Sequence, residues 1–107
     1  MKILITESQK ERIALNYLNK NFHPDQLEIV EHPDYPDSIF YRKDGQVIME
    51  IEKKNRYFCV DYDVIWSFFN KVFSMETDEI QRLMKTWLEE TFNLKGFTPL
   101  WPSGLPV

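Results

Sequence analysis

Three observations predict an α+β fold for this chain. Asp44-Gly45 lies between two runs rich in strand-forming residues, a strong short-range signal for a tight hairpin. A helix-capping pattern near the start is followed by apolar residues at helical spacing. After residue 62, two more apolar stripes of helical period follow one another across a short connection. The expected order is an N-terminal helix over 1–22, a small antiparallel meander of three or four strands over 27–60, a helical hairpin over 62–93 packed on one sheet face, and an extended apolar tail over 96–107. One domain is expected, because 107 residues is near the commonest domain size.

The first helix starts at Thr6-Glu7-Ser8-Gln9, where the Thr6 hydroxyl can accept from the Gln9 amide and Gln9 can reach back. Ile13, Ala14, Tyr17, Leu18 and Phe22 form its apolar stripe, and His23-Pro24 must end it. Leu27 to Glu31 alternates and reads as a first strand. His32 to Asp37 is expected to be a loop, since Pro33 and Pro36 are poor members of a sheet ladder.

A two-residue turn at Asp44-Gly45 sets Lys43 opposite Gln46, and continuing the count sets Phe40 opposite Met49 and Ile39 opposite Glu50. A second two-residue turn at Lys54-Asn55 sets Ile51 opposite Phe58 and Met49 opposite Val60. One face then carries Phe40, Val47, Met49, Ile51, Phe58 and Val60, a core face. The other carries Ile39, Tyr41, Ile48, Tyr57 and Cys59 around Glu50 and Glu52, and it needs cover from the first helix or from a second subunit.

Asp61 or Asp63 caps the next helix, whose stripe is Val64, Ile65, Phe68, Phe69, Val72 and Phe73, with Trp66 about 100° off its centre. Thr77 caps the last helix, and its stripe is Ile80, Leu83, Met84, Trp87, Leu88 and Phe92. Gly96 is available as its left-handed stop. From Phe97 onward there is no charged side chain and there are three prolines, which suits an extended segment lying on an apolar surface.

Composition narrows the function. The hydrophobic share of 43% beside 28% charged residues is that of a folded soluble protein. A net charge of -4 without a dense basic block argues against nucleic acid as a partner. The single cysteine excludes an internal disulfide and fits a reducing compartment. No run approaches the ~20 apolar residues of a membrane span, and Met1 to Ile5 is too short for a signal core. A cytoplasmic protein with no membrane association is expected, in the host cytoplasm or the virion if a phage encodes it.

The opening Met1 to Gln9 resembles the start of many small proteins of tailed bacteriophages, especially marine ones. Ile65-Trp66-Ser67-Phe68-Phe69 and the stretch from Glu79 to Glu90 resemble segments of the same uncharacterised group. The resemblance implies an origin and carries no activity.

Three groups of residues could carry chemistry. Pro36-Asp37 followed by Glu52-Lys53-Lys54 resembles the pattern of PD-(D/E)xK nucleases, in which paired carboxylates hold Mg²⁺ and a lysine assists at the phosphate. The hairpin count places Asp37 opposite Glu52, with Glu7 or Glu11 as a further carboxylate. Lys54 would be the catalytic lysine. Against this, Glu52 falls where a turn begins, and a hairpin strand follows where that resemblance requires a helix. His23-Pro24-Asp25 and His32-Pro33-Asp34 could offer two imidazoles to a metal, but their spacing does not hold them together, and His-Pro-Asp is ordinary turn chemistry. Cys59 stands beside Glu50, which disfavours a thiolate. No metal or cofactor is therefore assigned. The expected role is a non-catalytic interaction protein, docking on itself or on another protein through Tyr41, Ile48, Tyr57, Trp66 and Trp101. The alternatives are the Mg²⁺-dependent nuclease of Asp37, Glu52 and Lys54, or an acidic decoy for a host nucleic-acid-binding protein.

Overall fold

In a computed structural model that describes residues 7–100, the chain is α+β, with helices on one face of a five-stranded sheet. The strands are β1 (Glu28–His32), β2 (Tyr35–Lys43), β3 (Gln46–Glu52), β4 (Tyr57–Val60) and β5 (Thr98–Pro99), in spatial order β1-β2-β3-β4-β5. The first four form an antiparallel meander. The two-residue β5, within the segment expected to be an extended tail, pairs parallel to β4. The helices are α1 (Glu7–Asn21), α2 (Ser67–Val72) and α3 (Thr77–Thr91). Thr6 and Trp101, named in the sequence reading, lie outside the described residues.

Asp44 and Gly45 both have positive φ, 51° and 82°, the type I′ geometry that matches strand twist. Lys43 faces Gln46 as expected, but the register then slips between Tyr41 and Arg42. Tyr41 faces Met49 and Arg42 faces Val47, so Ile48 is the extra residue of a β-bulge. Beyond it Phe40 faces Glu50, Ile39 faces Ile51, and Ser38 rather than Asp37 faces Glu52. One inserted residue exchanges the faces of β2. Ile39, Tyr41, Ile48, Met49, Ile51, Phe58 and Val60 join the helices in the core, while Phe40, Val47 and Cys59 are buried on the opposite face.

The second hairpin keeps its expected register, with Ile51 on Phe58 and Met49 on Val60. Its connection is the four residues Lys53 to Arg56 rather than two, closing on Glu52 opposite Tyr57, with Arg56 left-handed at φ 58°. The loop expected over 32–37 is a tight turn, and Pro36 lies within β2. Pro36 is tolerated because the β1 pairing jumps from His32–Tyr35 to Val30–Phe40 and the β3 pairing ends at Ser38. Its missing N–H therefore costs no ladder bond.

The first helix joins the same core as the later ones and does not cover the other face of the sheet: Ala14 and Leu18 are fully buried within that core. Asn19 accepts from the Thr91 hydroxyl at 2.7 Å, tying α1 to α3. Asp61 is the cap after β4, its Oδ2 accepting from the amides of Asp63 and Val64 at 3.1 Å each. The next turn, Tyr62–Trp66, is a π-helix, closed by the Ser67 N–H on the Tyr62 carbonyl. This wider turn rotates the side chains relative to an α-helical count. Trp66 swings inward to 6% exposure, and Val72, expected in the stripe, is 64% exposed.

In α3 the cap is Glu76 rather than Thr77, with Glu76 and Glu79 forming a reciprocal capping box. Ile80, Leu83, Met84, Trp87 and Leu88 are all buried, as their spacing requires. Asn93, at φ 56°, provides the left-handed stop assigned above to Gly96, and the Leu94 amide returns to the Leu88 carbonyl at 3.2 Å. Gly96 turns the chain later, at φ 82°. The tail then runs extended beside β4, with Thr98 N–H on the Arg56 carbonyl and Leu100 N–H on the Phe58 carbonyl. Pro99 falls between those two donors, where no N–H is needed. Among the described residues no helix is long and apolar enough to cross a membrane.

Candidate functional site

Two places gather side chains that could do something. On the sheet face away from the helices, Ser38, Glu50, Glu52, Tyr57 and Cys59 meet across β2, β3 and β4. The Ser38 hydroxyl donates to Glu50 Oε2 at 2.6 Å, and the Cys59 thiol approaches Glu50 Oε1 at 3.9 Å. Glu52, only 6% exposed, accepts the Lys54 amide on Oε1 at 3.2 Å and the Asn55 amide on Oε2 at 2.6 Å. Burial lifts the Tyr57 phenol above its ordinary 10.0, and the negative charges of Glu50, Glu52 and Cys59 add to the shift.

These bonds decide what the cluster can do. Glu52 is committed to closing the 53–56 turn, and Glu50 to a serine hydroxyl. Asp37 lines the same hollow of about 320 Å³ as Glu52, but Ser38 holds the position opposite Glu52. The Asp37 carbonyl accepts from the Lys53 amide, and Lys54 is an exposed loop residue. The structure thus brings Asp37 and Glu52 to one hollow without setting them opposite each other, and leaves Lys54 exposed in the adjoining turn. Among the described residues no group of three or more His, Cys, Asp and Glu is placed to hold a metal ion.

The duplicated His-Pro-Asp motifs do the same local job twice. His23 Nδ1 accepts from the Asp25 amide at 3.2 Å, and His32 Nδ1 from the Asp34 amide at 3.1 Å. Each imidazole caps the turn that its own proline starts. His32 and Ser38 line one hollow without bonding to each other, so no serine-imidazole pair forms.

The second place is a cavity of about 330 Å³ on the helix side, walled by Ile39, Tyr41, Ile51, Leu94 and Phe97 and edged by Lys53 and Arg56. Its floor follows from the bulge: the extra residue in β3 brings Ile39 beside Ile51, on the face toward the helices. Phe92 sets Tyr41 in place, edge-on to it at 5.2 Å and to Trp87 at 4.9 Å. Such a relay is worth about 0.5–1.5 kcal/mol per ring pair beyond area burial. The Arg56 guanidinium lies 5.1 Å from the Phe97 ring centroid and donates through Nη2 to the Lys95 carbonyl at 3.0 Å.

The aromatic anchors expected from sequence divide accordingly. Ile48 and Trp66 are buried core residues, at 1% and 6% exposure, and Ile48 lines a separate hollow with Phe22 and Lys43. Tyr41 is only 9% exposed but lines the cavity, with its phenol raised by desolvation. Tyr57 is half-buried on the opposite face. Ile39, Ile51, Lys53, Arg56, Leu94 and Phe97 were missed as a site because they come from three separate stretches of chain. The one local signal was Lys53-Lys54-Asn55-Arg56, three cations in four residues of an acidic protein. Against known proteins, the chain matches no family model, no curated protein and no solved structure.

Proposed function

We propose that this chain is a non-catalytic interaction protein, a small accessory protein of the phage kind that its sequence resembles, and that it docks a protein partner at the Tyr41 cavity. The observation behind this reading is the open apolar hollow between Ile39, Tyr41, Ile51, Leu94 and Phe97. Its volume is at the lower end of the roughly 300–1,000 Å³ of binding clefts, enough for one bulky side chain rather than a cofactor. The commitment of Glu50 and Glu52 to hydroxyl and amide donors favours docking over chemistry at the other face.

The test is selection of binders from a displayed random peptide library on the full chain, followed by competition with Leu94→Arg, folding checked by circular dichroism. Leu94 is half-buried, and its own amide bond is unaffected by the change. Peptides that bind the wild type and lose Leu94→Arg at least tenfold support the reading. Binders indifferent to that substitution, or no binders, reject it.

A further inference from the structure

We propose that the partner segment is acidic: one apolar side chain enters the Tyr41 cavity while flanking carboxylates lie on Lys53 and Arg56. This deepens the docking reading above and rests on it. Charge complementarity carries it. The protein has a net charge of -4, yet no other four-residue stretch of its sequence matches the three cations of Lys53-Lys54-Asn55-Arg56. The fold places that run at the cavity mouth, with Lys53 and Arg56 on its lining.

Those cations are not spent on acids among the described residues. Among the described residues, Lys10, His23, His32 and Arg42 form ion pairs, and no residue of the 53–56 turn does. Nearby Glu52 is occupied by main-chain amides instead. Among the described residues the Arg56 side chain makes one hydrogen bond, to the Lys95 carbonyl, which leaves most of its five N–H donors for a forked contact with a carboxylate.

Arg56 is also held where it is needed. Its φ of 58° is a conformation that glycine or asparagine adopts more easily. Phe97 fixes the guanidinium plane from below, and the chain at Gly96, turned by a φ of 82°, lies against it, close enough that a Cβ there would be in ordinary contact with Arg56 Nη2 at 3.5 Å. An apolar pocket with cations fixed on its rim selects a side chain of Leu or Phe type next to Asp or Glu. A duplex nucleic-acid backbone would use the cations and leave the apolar walls unfilled.

The experiment reads the flanks of the selected peptides and then measures binding by fluorescence anisotropy at two salt concentrations. The expected consensus is one bulky apolar position within two residues of Asp or Glu. Affinity should fall at least tenfold for Lys53→Glu and for Arg56→Glu, and fall again as salt rises. Lys53 is exposed, so its substitution leaves the fold intact. A consensus with the apolar anchor but neutral or basic flanks overturns the acidic partner and leaves the docking reading standing. Binding insensitive to Leu94→Arg removes both. A labelled single-stranded oligonucleotide that binds and is lost with Lys53→Glu overturns the proposal. So does a molar mass that rises to twice 12.9 kDa with concentration and stays at 12.9 kDa in Leu94→Arg.

Discussion

Glu52 is the residue on which the turn-capping and cation-holding readings make opposite predictions. If it closes the 53–56 turn, Glu52→Ala deletes two hydrogen bonds from an ionised acceptor, one at 2.6 Å and one at 3.2 Å. Bonds to charged groups contribute about 1.5–3 kcal/mol each. The low end applies here, because Lys54 and Asn55 are exposed and their amides regain water, and because the longer bond is weak. A loss of about 2 kcal/mol follows, which lowers Tm by roughly 10 °C in a domain of this size. Glu52→Gln keeps the shape and one carbonyl acceptor but turns an NH₂ toward a donor, so about half that loss is expected. If instead Glu52 and Asp37 were paired like charges awaiting a cation, removing either would relieve repulsion and stabilise the metal-free protein. Urea unfolding of Glu52→Ala, Glu52→Gln and Asp37→Asn separates the two. Refutation would be a Glu52→Ala midpoint at or above wild type, or an Asp37→Asn midpoint raised with it.

The remaining expectations concern single side chains. Tyr57 titrates above its ordinary 10.0 in the folded state, so the native protein holds a proton that the unfolded chain loses. Stability therefore falls as pH rises above about 10, and Tyr57→Phe flattens that fall in urea unfolding followed against pH; an unchanged slope contradicts it. Trp87 is fully buried, and its indole N–H has no hydrogen-bond partner among the described residues. Trp87→Phe trades lost volume against removal of an unpaired donor worth about 1–3 kcal/mol, and should cost less than about 1.5 kcal/mol, whereas Trp87→Ala should cost at least about 3 kcal/mol. Equal losses in the two variants would be inconsistent with an unsatisfied N–H. Asn93→Ala should cost about 1 kcal/mol through its left-handed backbone while Asn93→Gly should cost nothing, as thermal unfolding can show.

Local chemistry alone determined much of this protein. The type I′ turn at Asp44-Gly45, the register of the second hairpin, the stripe of α3 and the helix stop before Pro24 each follow from neighbours a few residues apart. The identity of the two sheet faces was decided by tertiary structure. Ile48 and Met49 are adjacent, yet both reach the core, and only packing against the helices makes the unpaired residue of a bulge worth its lost ladder bonds. Because strand side chains alternate with period two, that single residue moved Phe40 out of the helix-packed core and brought Ile39 and Tyr41 into it. The π-turn acted the same way on Trp66 and Val72. The cavity is a product of these shifts: Ile39 meets Ile51 through the bulge, and Leu94 and Phe97 arrive from beyond α3. Long-range packing set those meetings, and no periodicity within a single segment encodes them.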